Sequence, residues 1–80
     1  MYLTGWTFKN GEQFQFEEMA VRAGGCPIRV EDETGGECYS VVGFQTLDAT
    51  REFLATWYDH VDATTRERED NVWEEDIRLN

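Results

Sequence analysis

Histidine, cysteine, proline and lysine are scarce in this sequence, and their scarcity excludes several classes of function. The 80 residues include one histidine, two cysteines, one proline and one lysine. Cys26 and Cys38 are twelve residues apart with no second pair, which does not match the ligand spacing of a zinc site. No motif flanks His60, and the glycine pairs at 24–25 and 35–36 match no phosphate-binding loop. We therefore expect a protein that is not an enzyme and that uses no metal and no cofactor.

Long apolar segments are also missing. No run approaches the ~20 apolar residues that a membrane-spanning helix needs. The first residues, Met1 to Trp6, lack the basic and apolar regions of a secretory signal. We expect one domain over residues 1–80, soluble and cytoplasmic, with no membrane contact.

Positive charge is the third shortage. Seventeen acidic residues face seven basic ones, which gives a formal charge of −10. Direct binding to nucleic acid or to an anionic membrane through a basic patch is therefore not expected. The acid excess has three interpretations: a solvated surface that aids solubility, adaptation to high salt, or an acidic face that binds a partner.

The strongest structural pattern is a helix over residues 46–61. Thr46 or Asp48 can cap its N-terminus, because a short side-chain oxygen accepts a free backbone N–H there. Its apolar residues recur at helical spacing and form one stripe. They are Leu47, Phe53, Leu54, Trp57, Tyr58 and Val61.

Two hairpins are predicted before that helix. The first joins strands 2–8 and 12–16 through Asn10-Gly11, a strong turn signal. A two-residue turn divides its four aromatic residues between both faces, whereas a three-residue loop places them all on one face. Burial favours the second register. The four residues are Trp6, Phe8, Phe14 and Phe16.

The second hairpin joins strands 28–33 and 37–44 through Gly35-Gly36. A two-residue loop pairs Val30 with Val41 and places Cys38 on a polar, solvent-facing side. Ile28, Val30, Tyr39 and Val41 then share the apolar face. In this register Cys26 and Cys38 lie roughly 15–20 Å or more apart, too far for an intrachain disulfide. We expect free thiols, or an intermolecular bridge through Cys26 or Cys38.

Between the hairpins, residues 17–25 predict a short helix, with a bulged strand as the alternative. Gly24 is suited to the position after a helix C-terminus. The fold class is therefore α+β: a small antiparallel sheet of about four strands, in two hairpins, packed against one main helix at about 46–61. We expect the core to comprise Trp6, Phe14, Phe16, Val30, Tyr39, Val41, Leu54 and Tyr58.

The acidic C-terminal segment is less clear. A Thr-x-x-Glu capping box within residues 63–67 predicts a helix that begins near residue 65. Alternatively, Trp73, Ile77 and Leu79 fit the period of a final edge strand, so the last six residues remain open. Trp73 is expected to anchor the core.

Acidic residues concentrate in two places, and these are the candidate partner-binding residues. Glu31, Asp32, Glu33 and Glu37 surround the tip of the second hairpin, and Glu67, Glu69, Asp70, Glu74, Glu75 and Asp76 follow in the tail. On a helix, Glu67, Asp70 and Glu74 would form a row of negative charge. Duplex DNA is itself a rod with one negative charge per ~1.7 Å of axis. Such rows would therefore fit a basic groove that binds DNA.

In size, acidity and lack of motifs, the chain resembles the small anti-CRISPR proteins of phages and gene-transfer elements, in particular those that act on type I complexes such as type I-C. Anti-restriction proteins that mimic DNA are equally similar in these respects. The resemblance carries no motif, so no residue role is transferred. It implies an inhibitor, monomeric or homodimeric, that binds the basic DNA-binding surface of a Cascade complex in the host cytoplasm and blocks target DNA. The alternative is an interaction module or a subunit of a larger assembly.

Overall fold

The structure, a computed structural model, describes residues 1–78 and has an α+β fold. Four antiparallel strands form one open sheet in the order β2-β3-β1-β4, with two helices on one face. The elements in chain order are β1 (Tyr2–Lys9), α1 (Phe14–Arg22), β2 (Cys26–Asp32), β3 (Glu37–Phe44), α2 (Leu47–His60) and β4 (Trp73–Glu74). No helix within these residues is long and apolar enough to cross a membrane.

Helix α2 confirms the strongest sequence pattern. The hydroxyl of Thr46, and not the carboxylate of Asp48, caps it by accepting the N–H of Ala49 at 3.1 Å. Four of the six residues of its predicted apolar stripe are buried, whereas Leu47 is half-buried and Val61 follows the helix and remains 37% exposed. The buried residues are Thr50, Phe53, Leu54, Trp57 and Tyr58.

The predicted first hairpin is wrong. A turn does form, since the N–H of Glu12 donates to the carbonyl of Lys9 at 2.9 Å, but the chain then enters α1. Helical spacing buries both Phe16 and Ala20 completely, and Phe16 packs against Trp57 of α2 with ring centroids 4.9 Å apart. A strand at 12–16 would instead place Phe14 and Phe16 on the same face, but Phe14 is exposed. The sheet face is therefore covered by two helices, not by one main helix.

Helix α1 also accounts for the short helix predicted at 17–25, which begins earlier, at Phe14. The chain leaves it through Gly24, whose φ of +92° is the left-handed conformation expected of a residue after a helix C-terminus. Phe14, predicted in the core, is instead 64% exposed, because the helical period directs it away from Phe16.

The central strand β1 pairs with β3 and not with residues 12–16. Its partners run from Tyr2 opposite Phe44 to Lys9 opposite Glu37. Gly5 is required in this strand, because an added Cβ would lie 2.6 Å from the ring of Tyr39. Tyr39 therefore packs across the outer face of the sheet, the face without helices, and is not in the core between sheet and helices.

The second hairpin is confirmed, but its register differs by one residue. Glu31 pairs with Tyr39 and Val30 with Ser40, followed by an irregularity between Pro27 and Arg29. A one-residue shift exchanges the two faces of a strand. Cys38 is therefore buried, at 1% exposure. Val30 lies opposite the buried Ser40, but on the edge strand β2 it remains 46% exposed. The new register allows Val42 and Phe44 to join the core beneath the helices.

The C-terminal segment forms no helix within the described residues. The capping interaction exists, because Glu67 accepts both the N–H and the hydroxyl of Thr64, but it closes a single turn. The chain then extends to β4, where Trp73 pairs with Leu3. The edge-strand alternative is thus correct for Trp73–Glu74, and Leu79 lies outside the described residues.

Of the predicted core residues, Phe16, Leu54 and Tyr58 lie in the buried cluster between sheet and helices. Val41 is also buried but lies outside this cluster, because it alternates with Ser40, which faces α1, and so points to the other side of the sheet. Trp6 is partly buried and packs against the same cluster. Trp73 is half-buried at the edge of the sheet, where its indole N–H donates to Glu75 at 2.7 Å.

We predict that Leu54→Ala lowers the free energy of unfolding by ~2–5 kcal/mol, because Leu54 is 3% exposed and its removal leaves a cavity. Urea unfolding measures the difference. Val21→Ala, at a helix position that is 54% exposed, is the control and should change stability by less than ~0.5 kcal/mol. Equal stability of the two variants would contradict the core assignment.

Candidate interaction surface

The predicted acidic residues are almost all exposed to solvent. Nine of the ten are exposed, and only Glu75 is half-buried. Glu31 and Glu75 pair with Arg29, and Asp70 pairs with Arg51. No cation within residues 1–78 forms a salt bridge with the others, which are Asp32, Glu33, Glu37, Glu67, Glu69, Glu74 and Asp76.

The fold divides the acidic tail between two ends of the sheet. Glu67 and Glu69 line a recess of about 470 Å³ together with Glu37 of the hairpin, and this recess also contains Arg66 and the open edge of β1. We call it the tail recess. Glu37 at the end of the hairpin and the first part of the tail therefore form one acidic surface, which their separation in sequence did not indicate.

The second part of the tail lies at the opposite end. Glu74 pairs with Tyr2, whereas Glu37 pairs with Lys9, seven residues along β1. At ~3.3 Å per residue the backbone positions of Glu37 and Glu74 are separated by roughly 23 Å along the strand. The predicted helical row of Glu67, Asp70 and Glu74 is therefore wrong, because no helix aligns them.

Arg29 links the acidic hairpin to the far end of the sheet. Its guanidinium contacts Glu31 at 3.1 Å and Glu75 at 2.8 Å, so that edge strand β2 is tied to the segment that follows β4 at the other edge. Hydrogen bonds from Arg29 and from the Trp73 indole hold the pKa of Glu75 below its ordinary value. The hydrogen bonds to Glu75 and Glu31 raise the pKa of Arg29. The pKa of Glu67 is lowered by the N–H and hydroxyl of Thr64.

An aromatic groove adjoins the tail recess. It has a volume of about 690 Å³, and its lining includes Trp6, Phe14, Trp57 and Val61. Phe14 and Val61 are among the most exposed large apolar residues of the described chain, and the indole N–H of Trp57 is buried without an acceptor among residues 1–78. The sequence pattern does not indicate this groove, because it predicts Phe14 in a buried strand.

The tail recess and the aromatic groove meet at β1. Both are lined by Trp6, Thr7 and Glu37. β4 covers only Tyr2 and Leu3 of this edge, and Thr7 is exposed. The surface thus combines carboxylates, exposed apolar side chains and an unpaired strand edge in one place.

The two cysteines are not bridged to each other. Burial raises the pKa of the Cys38 thiol and removes it from solvent, so its predicted solvent-facing position is wrong. Cys26 is half-buried, and an intermolecular bridge through it stays a prediction. His60 is exposed and stacks on Trp57 at 5.6 Å. Residues 1–78 contain no group of three His, Cys, Asp or Glu side chains that could hold a metal ion.

Comparison with known proteins yields no match to a family model, a curated protein or a solved structure.

We predict that Glu75→Gln destabilises the protein at pH 7 and that this effect disappears in acid. Because the pKa of Glu75 is lowered in the folded state, its contribution is complete above the ordinary carboxyl pKa of ~4.3 and is lost as pH falls through the folded-state value. Urea unfolding of parent and variant at pH 7 and pH 3 tests this.

Asp76→Asn is the control for that comparison, since it changes the formal charge equally and breaks no ion pair among the described residues. It should leave the stability at pH 7 unchanged or slightly raise it, because it reduces self-repulsion. A stability loss in Glu75→Gln that persists at pH 3 would show that the carboxylate does not act through its pairing with Arg29.

Proposed function

We propose that this protein is an acidic inhibitor that binds the basic DNA-binding surface of a host nucleic-acid-targeting defence complex, such as CRISPR Cascade, and competes with target DNA. The observation that supports this most directly is the acidic surface made by the hairpin and the first part of the tail. Glu37, Glu67 and Glu69 are exposed there, and none of them forms a salt bridge within the described chain.

The amount of charge supports competition with DNA. The described chain measures 32 × 28 × 20 Å, and duplex DNA carries ~19 negative charges over 32 Å of axis. The formal charge of −10 is about half of that number on a body of comparable length. A groove that attracts DNA phosphates would therefore attract this protein as well.

The arrangement of the charge also supports binding to a basic surface. Carboxylates without cationic partners repel one another in the free protein, and Lys9 and Arg66 offset only part of this at the hairpin end. Arginine and lysine side chains of a partner would reduce the repulsion on binding. The driving force would then be distributed over several carboxylates, and no single one would dominate.

A second candidate function is an interaction module that docks through apolar contacts. The exposure of Phe14 at 64% and of Val61 at 37% beside the aromatic groove favours it. Salt distinguishes the two candidates, because charge-driven binding weakens steeply with ionic strength and apolar docking does not.

We predict that Glu33→Lys, Glu37→Lys and Glu69→Lys together abolish competition with DNA. These substitutions place like charge against a basic groove, which costs several kcal/mol or two or more orders of magnitude in affinity. The measurement is fluorescence anisotropy of labelled target duplex on purified type I Cascade complexes, type I-C included. Competition by the parent should weaken at least tenfold between low and physiological salt.

The matched control reverses three carboxylates on the helices, by Glu18→Lys, Asp48→Lys and Glu52→Lys. These residues are exposed on α1 and α2, and the formal charge changes by the same amount. The control should compete within about threefold of the parent, and both triple variants should melt close to it. The proposal fails if the triple variant at Glu33, Glu37 and Glu69 competes as well as the parent, or if competition does not depend on salt.

A further inference from the structure

The open edge of β1 points to a specific mode of docking: we propose that it pairs with an extended segment of the partner protein in which basic and apolar residues alternate. This inference deepens the proposed function and rests on it for the basic character of the partner. The open edge, its free hydrogen-bonding groups and its two flanking surfaces are observed in this chain and do not depend on the proposed function.

The hydrogen-bond pattern identifies the free groups of β1. The N–H of Asn10 donates to Gly36 at 3.1 Å, which makes Asn10 and Gly36 a hydrogen-bonded pair of the β1–β3 ladder. In an antiparallel ladder, hydrogen-bonded and non-hydrogen-bonded pairs alternate. The odd-numbered residues of β1 therefore direct their N–H and C=O groups away from β3, towards the side of β4.

Asn71 confirms this direction, because its side-chain amide donates to the carbonyl of Gly5 at 3.2 Å from that side. β4 ends the pairing at Leu3, and the carbonyl of Lys9 accepts the N–H of Glu12. Within residues 1–78, the N–H and C=O of Thr7 and the N–H of Lys9 are left without a partner. Three hydrogen-bonding groups on two residues, Thr7 and Lys9, are thus available to an added strand.

The two sides of an added strand would meet different surfaces. Its side chains alternate between the faces of the sheet. One of these surfaces is the tail recess, which is lined by Glu37, Glu67 and Glu69. On the helix side lie Phe14, Trp57 and Val61 of the aromatic groove. Alternating basic and apolar residues match this pair of surfaces.

Charge distinguishes this occupant from a second copy of the chain. Two β1 edges placed together would bring the carboxylates of two tail recesses close to each other, and like charges across an interface are unfavourable. The other sheet edge is less suited to pairing, since β2 carries Pro27, an irregular register and several charged residues. Such features usually protect an edge strand from pairing, whereas β1 has no proline and no register irregularity between Gly5 and Lys9, and its single charged residue there is Lys9 itself.

The experiment uses the full chain, labelled with ¹⁵N, and a capped nine-residue peptide of alternating arginine and valine. We expect the amide hydrogens of Thr7 and Lys9 to exchange at least tenfold more slowly when the peptide is bound. The fluorescence of Trp6 and Trp57, which line the groove, should change over the same titration. Unchanged exchange at Thr7 and Lys9 under saturating peptide would overturn the proposal.

Three variants test the backbone contact. Thr7→Pro removes the free N–H without removing a bond to β3, and we expect at least tenfold weaker peptide binding. Thr7→Val keeps the N–H and should bind like the parent. Val30→Pro, which changes the exposed edge strand β2, should also leave binding unchanged. Binding by Thr7→Pro equal to that of Thr7→Val would refute the strand pairing, and the parent's amide exchange remains decisive if Thr7→Pro does not fold.

A second peptide separates this inference from the proposed function. A peptide with glutamine in place of arginine should bind at least tenfold more weakly, and equal binding would overturn the basic partner named here. Slow exchange at Thr7 with the arginine peptide, combined with no competition against DNA on a defence complex, would contradict the proposed function and support the strand pairing.

Discussion

The packing of the Trp57 indole against rings from three other positions connects every layer of this small protein. Its centroid lies 4.9 Å from Phe16 of α1, 5.7 Å from Phe8 and 6.3 Å from Trp6, both of β1. The four rings belong to three elements, so both helices and strand β1 meet at one side chain. A short chain buries a limited fraction of its surface, and large aromatic residues increase the buried area per residue. The positions of α1 and of the β1 edge both depend on this contact.

That dependence explains which predictions from the sequence succeeded. The α2 stripe repeats over four turns, and its cap is a single hydroxyl at Thr46, so local information was sufficient. For residues 12–16 the Asn10-Gly11 turn signal was genuine, but it could not decide between a returning strand and a helix. Phe16 decides it through contacts with Phe53 and Trp57, which lie about 40 residues away in sequence. Such long-range burial overrides a local turn preference.

The register of the second hairpin failed for a related reason. Gly35-Gly36 predicted where the chain turns, but not whether two or three residues lie in the loop. Burying Val42 and Phe44 under the helices requires Cys38 and Ser40 to face the same side. The hydroxyl of Ser40 is satisfied there by Glu17 of α1 at 3.0 Å. A polar residue that finds its partner on another element cannot be recognised as buried from its own strand. The candidate site was predictable to a similar extent: the acidic residues were identifiable, but their division between two ends of the sheet was not.

The two edges of the sheet differ in how well they are protected from pairing with another strand. At β2 the chain places a proline and charged side chains, and Arg29 extends from this edge to Glu75 beyond the opposite one. At β1 the tail covers only part of the strand edge. It first lies against Tyr58, whose hydroxyl donates to the carbonyl of Glu69, and it then reaches the edge at Gly5 through Asn71. The tail therefore does not cover the β1 edge at Thr7, and its carboxylates lie beside this uncovered stretch. Because an uncovered edge next to exposed aromatic residues favours association, the surrounding negative charge selects against like-charged partners and in favour of basic ones.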